Sequence, residues 1–99
     1  MAQRKVTILD KAVEEVAYVG YFIEGNGLPE TAKKFVDAAF IFFNKLSDGR
    51  IVHKPCSFSR WKKSGYHCAI FRKKFVVAYL VLNDEVIICD FVLQKLIKE

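Results

Sequence analysis

Basic and aromatic residues are concentrated in residues 57–74, which read SFSRWKKSGYHCAIFRKK and contain no carboxylate. The wider interval from Gly49 to Asn83 also lacks Asp and Glu. It nevertheless holds eight of the sixteen Lys and Arg residues, namely Arg50, Lys54, Arg60, Lys62, Lys63, Arg72, Lys73 and Lys74. With a net charge of +5, this concentration favours an anionic partner, because excess cations attract nucleic acids, acidic proteins and anionic lipids. The simpler interpretation is a solvated basic face without a partner.

Other side chains in this region could also do chemistry. Trp61 could stack on a nucleobase, which is worth about 1–3 kcal/mol, or it could anchor the surrounding loop to the core. His53, Cys56, His67 and Cys68 are of the types that bind zinc. However, His67 and Cys68 are neighbours on a predicted strand and point to opposite faces. No metal site is predicted, and a Cys56 nucleophile lacks the third group that would orient its base.

The first half of the chain predicts one strand and two helices. Val6 to Leu9 favours a strand, and Asp10 is a candidate cap for the helix that follows. Apolar residues then recur at helical spacing until Gly25, Asn26 and Gly27 end the pattern. Pro29 suits the start of a second helix, which Gly49 ends.

The second half predicts an ordered loop followed by strands. Residues 50–65 have no sustained period and are rich in Ser, Pro and Gly. Three β-rich runs follow, Tyr66 to Arg72, Phe75 to Leu82 and Glu85 to Val92, with connections short enough only for antiparallel hairpins. The middle run, FVVAYLVL, is apolar throughout and predicts a central strand. The last residues predict a frayed tail or a short helix.

The composition favours one soluble domain over residues 1–99. The chain is 53% hydrophobic, which is enough for a single core at this length. Three cysteines and no secretory signal predict a reducing, cytoplasmic setting, with Cys68 and Cys89 as small core residues. No apolar run reaches the roughly 18 residues needed to span a bilayer. No cofactor is predicted.

The order of a strand, two helices, a basic loop and a three-stranded meander resembles the RelE/ParE superfamily of toxins from bacterial type II toxin–antitoxin systems, which includes plasmid stabilisation proteins. The likeness covers nearly the whole chain. It rests on the A…V…Y…I spacing of the first helix and on the segments TAKKFVDA, FRKKFVVAYLV and DEVIICDFV. It implies an α+β fold with an N-terminal strand, a two-helix hairpin and an antiparallel meander. It also implies a cognate antitoxin whose chain wraps the toxin.

The superfamily includes ribosome-dependent messenger-RNA endonucleases and poisons of DNA gyrase, and the basic stretch favours the first activity. A metal-independent ribonuclease must activate the ribose 2′-hydroxyl, stabilise the phosphorane and protonate the leaving oxygen. The candidate catalytic residues are Lys54, Arg60, Lys63, Tyr66 and Arg72, with Arg60 and Arg72 as bidentate phosphate clamps. The candidates for binding nucleic acid are Arg50, Trp61, Lys62, Lys73 and Lys74.

The C-terminus departs from the nuclease pattern. RelE-like nucleases usually end in a basic segment with a functional Tyr or His, whereas this chain has Gln94 and Lys95 there. Tyr66, His53 or His67 could substitute only if the fold brings them near Arg60 and Arg72. A non-catalytic gyrase poison and a non-toxic binding module of the same fold are the alternatives.

The second helix carries two apolar stripes. Ala32, Phe35, Ala39, Phe42 and Leu46 form the first, which should face the sheet. Val36, Phe40 and Phe43 form the second, and they are the candidate contacts for an antitoxin segment. Burying each would gain about 1.5–3 kcal/mol before ordering costs. The alternative is that these three residues pack on the first helix.

Overall fold

The structure, a computed structural model, describes residues 4–48 and 53–97. Its four strands are β1 (Lys5–Ile8), β2 (His67–Phe71), β3 (Phe75–Leu82) and β4 (Glu85–Leu93). They form one sheet in the order β1-β4-β3-β2. The last three strands are the predicted antiparallel meander, and β1 pairs in parallel with β4. The sheet thus joins the first described strand to the last.

Two helices, α1 (Asp10–Gly25) and α2 (Pro29–Lys45), form the predicted hairpin. Leu9, not Asp10, is the capping position of α1, and Asp10 is its first helical residue, so the predicted cap is wrong. The carboxylate of Asp10 still lies in the first turn, where a negative charge is favourable. Gly20 lets the helices approach closely, since a Cβ built there would lie 2.9 Å from Val36 Cγ2.

The main core lies between the helix hairpin and one face of the sheet. Phe35 and Phe43 of α2 meet Phe91 of β4 with ring centroids 6.2 and 6.0 Å apart. Phe75 of β3 stacks on Phe91 at 4.9 Å. Each fully buried Phe contributes about 1.5–3 kcal/mol through the area removed from water. The aromatic cluster therefore fixes α2 on the sheet.

A second, smaller core lies on the opposite face of the sheet. Val76 and Ala78, which alternate with the helix-facing residues of β3, are covered there by Cys56 and Trp61. We call residues 53–66 the cover segment. It contains a one-turn helix, α3 (Ser59–Lys62), where the sequence predicted only a loop. The face that carries no long helix is therefore closed by a loop.

A disulfide between Cys56 and Cys68 joins the cover segment to β2, with the two Cα atoms 4.9 Å apart. Backbone pairing supports the same junction, because Cys56 N donates to Tyr66 O and Pro55 forms a bridge with His67. The prediction that Cys68 is simply a small core residue is therefore wrong. Cys89 is buried as predicted; it is the extra residue of a bulge where the β3–β4 register shifts.

Apart from the end of α2, the remaining boundaries agree with the sequence to within two residues. The chain tail begins with a 3₁₀ helix, Gln94–Leu96. This is the short helix that the sequence predicted as one of two alternatives for the tail. The helix α2 ends at Lys45, four residues before the predicted end at Gly49, and Gly49 itself lies outside the described residues. Within 4–48 and 53–97, no helix combines the length and apolar character needed to cross a lipid bilayer.

Candidate nucleic-acid and partner surfaces

Four predicted cations lie on the cover segment. Lys54, Arg60, Lys62 and Lys63 are all exposed. The turn of α3 places Arg60 beside Trp61, and the guanidinium carbon lies 5.3 Å from the ring centroid. This distance is within the range of a cation–π contact. The cover segment therefore presents a basic outer surface over an apolar inner one.

Arg72 lies on the other side of the sheet from Arg60. Its guanidinium carbon is 5.7 Å from the Phe35 ring centroid and 5.4 Å from that of Phe71. Both rings belong to the core beneath the helices, whereas Trp61 belongs to the core beneath the cover segment. Arg60 and Arg72, each predicted as a phosphate clamp, therefore do not share one site.

Trp61 is not available to stack on a base. Only 4% of it is exposed, and it packs against Val76 and Ala78. The predicted role in binding nucleic acid is wrong for this residue, and the alternative, a loop anchor, is confirmed. Its burial is what holds α3, and the cations on α3, against the sheet.

Tyr66 is half-buried at the end of the cover segment, beside the Cys89 side chain. The pKa of Tyr66 is raised by the charge that Cys89 can carry and by burial. Burial in turn raises the pKa of the Cys89 thiol. A raised pKa makes the phenol a weaker acid, so this environment does not prepare Tyr66 to protonate a leaving oxygen.

The two histidines and Tyr79 form a cluster that the sequence did not predict. His53 Nδ1 is 2.7 Å from the Tyr79 hydroxyl, and His67 Nδ1 donates to the carbonyl oxygen of His53 at 3.0 Å. His67 also stacks on Tyr79 at 5.6 Å. The strand register, which pairs His67 with Tyr79, brings the cluster together. Hairpin alternation could have indicated that pair, but nothing in the sequence placed His53 beside it.

Burial and the neighbouring His67 lower the pKa of His53. Burial raises the pKa of Tyr79, while a hydrogen bond with the backbone of His53 and the charge of Arg4 act against that shift. His67 is at the opposite end of β2 from Arg72, five residues away, or roughly 16 Å at strand spacing. The histidines therefore do not supply the missing group beside Arg72. Their partner Tyr79 belongs to the main core, whereas Arg60 lies over Trp61 of the second core, so they do not supply it beside Arg60 either.

The predicted antitoxin stripe is mostly internal. Phe43 is 0% exposed in the main core, so its prediction as a partner contact is wrong. Val36 packs against Gly20 of α1, and Phe40 meets the Phe43 ring edge-on at 5.6 Å. Both are half-buried. The alternative, packing on the first helix, is confirmed for Val36.

The exposed aromatic residues of the two helices lie on α1 instead. Tyr18, Tyr21 and Phe22 are 70%, 71% and 67% exposed. Tyr21 also lines a groove of about 360 Å³ between α1 and α2, whose charged residues are Glu24, Lys33 and Asp37. The helix hairpin thus offers an aromatic ridge beside a groove of mixed charge.

Two further sequence predictions concern ligands. Arg50, a candidate for binding nucleic acid, lies outside the described residues. Within the described part of the chain, no three His, Cys, Asp or Glu side chains are grouped so that they could hold a metal ion.

The fold has a counterpart among solved structures. A chain from the chromosomal ParDE toxin–antitoxin (TA) system of P. aeruginosa superposes with a TM-score of 0.77 at 14% sequence identity, over 94% of this chain and 98% of that chain. No family model and no curated protein matches the sequence. The similarity is therefore one of architecture: the chain has a ParE-like fold, as the resemblance to the RelE/ParE superfamily implied.

Proposed function

We propose that this protein is the toxin of a type II toxin–antitoxin pair. The observation that carries the proposal is the fold similarity to a ParDE chain over nearly the whole of both chains. The concentration of basic residues in an acid-free interval agrees with an anionic target. An inhibitory partner is the other component that such a system requires.

The antitoxin segment binds the aromatic ridge and groove of the α1–α2 hairpin. Exposed aromatic side chains suit this role, because they bury a large apolar area with little loss of side-chain freedom. An amphipathic helix laid on the ridge would cover Tyr18, Tyr21 and Phe22, and the mixed charges of the groove would pair with its polar side chains.

Growth inhibition follows the non-catalytic mode, in which the toxin binds DNA gyrase. The sequence alone favoured ribosome-dependent messenger-RNA cleavage, which needs cations and a proton donor around one phosphate. Arg60 and Arg72 lie on opposite sides of the sheet, and the neighbouring Cys89 raises the pKa of Tyr66. This dispersal favours target binding over cleavage.

Induced expression in a bacterium tests the mechanism. We expect growth arrest and a DNA-damage response while translated messages stay intact. Message cleavage that is lost in Arg60→Ala would contradict the gyrase proposal and support the endonuclease. Harmless overexpression in a strain without a partner gene would contradict the toxin proposal itself.

Co-purification tests the partner surface. The bait is the chain co-expressed with the product of the neighbouring reading frame, which the proposal expects to be a small acidic protein. Tyr21→Asp should lower the amount of that protein retained at least tenfold, because a carboxylate would be buried in the apolar contact. Ile70→Asp is the matched control, since Ile70 is also exposed but lies on β2. Equal retention by both variants would argue against the ridge.

A further inference from the structure

The turn between β2 and β3 has an unusual backbone for its residues. Arg72 and Lys73 both have positive φ, +53° and +64°. Lys74 N donates to Phe71 O at 3.2 Å and closes the turn. Two central residues with positive φ define a type I′ turn, which strongly prefers Asn-Gly or Asp-Gly. Long side chains in this conformation crowd their own backbone, so Arg-Lys is a strained choice.

The other hairpin of the same sheet has a better-suited residue in the left-handed region. Asn83, with φ +48°, occupies the left-handed position between β3 and β4. Asn tolerates this region better than most residues. The turn between β2 and β3 therefore keeps Arg and Lys at positions where Asn or Gly would relieve the strain, and persistent backbone strain of this kind is concentrated at functional sites.

The strained turn is also a group of cations without acidic partners. We call Arg72, Lys73 and Lys74 the hairpin tip; all three are exposed. Among residues 4–48 and 53–97 the salt bridge is Lys11 with Asp90, so none of the three cations is paired with a carboxylate there. No acidic residue occurs between Gly49 and Asn83. Nothing nearby in the sequence neutralises this charge.

The tip is held in place from two sides. The guanidinium of Arg72 rests over the Phe35 and Phe71 rings. The carbonyl of Lys74 accepts a hydrogen bond from Gln94 N at 2.8 Å, which braces the turn against the start of the 3₁₀ helix. Lys95 follows Gln94 and adds another exposed cation. A fixed arrangement of cations loses less freedom on binding an anion than a mobile one.

We propose that the hairpin tip binds the phosphate backbone of a nucleic acid. Successive cations in a tight turn suit a regular row of phosphates, and the planar guanidinium of Arg72 can pair with one of them through two hydrogen bonds. An acidic peptide would also be attracted, but the groove on α1 and α2 has the mixed charge that suits a peptide. The inference goes beyond the proposed function, because tip binding can occur whether or not the chain arrests growth.

The test is the double variant Arg72→Asn/Lys73→Gly, which removes two cations and installs the residues preferred in the turn. We measure the binding of the purified chain to a short DNA duplex and to an RNA of the same sequence over a series of salt concentrations. The Kd should rise about tenfold or more, and the slope of log K against log salt should fall by about two. Weaker binding to DNA alone, to RNA alone or to both supports the site and identifies the nucleic acid that it binds.

Two controls separate the tip from charge in general. Lys34→Gln/Lys45→Gln removes the same charge from exposed positions of α2 and should leave the slope nearly unchanged. Arg72→Lys/Lys73→Arg keeps both charges and should retain most of the binding. Equal weakening by the tip and α2 variants would overturn the proposal, as would unchanged binding of the tip variant.

Stability provides a second readout. Because Gly relieves the backbone strain at Lys73 and leaves the ring contacts of Arg72 in place, the single variant Lys73→Gly, which also loses a tip cation, should have a higher urea midpoint than the natural chain. Weaker binding by a more stable protein cannot be ascribed to unfolding. A lower midpoint would overturn the argument that the natural turn sacrifices stability for binding.

Discussion

At the scale of single residues, Gly20 shows how one missing side chain sets the spacing of two helices. A Cβ at this position would meet Val36 Cγ2 at 2.9 Å, closer than atoms in folded proteins normally approach. Val36 is β-branched and has little freedom to rotate away in a helix. The helix spacing therefore depends on the pair, not on either residue alone.

We expect Gly20→Ala to destabilise the protein by about 1 kcal/mol. Overpacking typically costs about 1–3 kcal/mol, and the better helix propensity of Ala returns about 1 kcal/mol. Urea unfolding measures the net change. In Gly20→Ala/Val36→Ala the added methyl has room, so the double variant should lose less stability than the sum of the two single changes. Additive losses would show that the contact does not limit the approach.

The histidine cluster also makes a prediction at this scale. The pKa of His53 is below its usual value of 6.5 because of burial and the neighbouring His67. The unfolded chain therefore binds more protons as the solution becomes acidic. The free energy of unfolding should be fully retained above about pH 6.5 and should fall as pH decreases through the lowered pKa. Urea midpoints from about pH 8 to about pH 5 measure this effect. His53→Gln should flatten the curve, and an unchanged slope would contradict the assignment.

At the scale of elements, α2 contacts both the sheet and α1, and its stripes were only partly predictable. Helical spacing identified Ala32, Phe35 and Ala39 as core residues, and all three are buried. Helical spacing assigned Phe43 to the outer stripe. The two stripes lie side by side around the helix axis, so spacing alone separates them poorly. Only the aromatic cluster with Phe91 decides that Phe43 points inward.

Alanine substitution tests this distinction. Phe43→Ala should cost about 3–5 kcal/mol, as expected for a large buried aromatic residue. Phe40→Ala should cost clearly less, because Phe40 is half-buried at the edge of the same helix. Thermal or urea unfolding measures both. Similar losses for the two variants would mean that Phe40 is as much a core residue as Phe43.

The cover segment is the element that sequence reasoning missed. Its short helix has no useful periodicity in four residues, and its position depends on Trp61 and on the Cys56–Cys68 disulfide. An odd cysteine count does not reveal which two residues meet. Cys56 and Cys68 meet because the β-bridge between Pro55 and His67 places the cover segment beside β2.

Loss of the disulfide should destabilise the protein by about 3 kcal/mol, the loop-closure value for a loop of this length. Cys56→Ser/Cys68→Ser, compared with the natural chain by urea unfolding, gives the measurement. Adding a thiol reductant should reproduce the loss in the natural chain and have no further effect on the variant. Equal stability in all samples would show that the bond is not formed in solution.

At the scale of the whole molecule, one sheet separates two apolar layers and two kinds of surface. The α1–α2 hairpin covers one face and exposes aromatic residues; the cover segment closes the other and exposes cations. The β-strands take part in both cores, because adjacent residues of β3 point to opposite faces. The two layers should therefore unfold together.

We expect a single cooperative transition. Far-UV circular dichroism reports chiefly on the helices of the first face, whereas the fluorescence of the single tryptophan, Trp61, reports on the second. The two unfolding curves should coincide with the disulfide intact. An earlier fluorescence transition would show that the cover segment detaches independently of the main core.

The sequence by itself determined the order of the elements, most of their boundaries and the acid-free basic interval, because periodicity, turn residues and charge are local properties. Only the tertiary structure decided that Arg60 and Arg72 lie on opposite sides of the sheet. It also decided that Trp61 is an anchor and that β1 pairs with β4. The physical reason is that strand alternation, sheet order and loop docking bring residues distant in sequence together or separate them. Such packing is not determined by any single stretch of the chain.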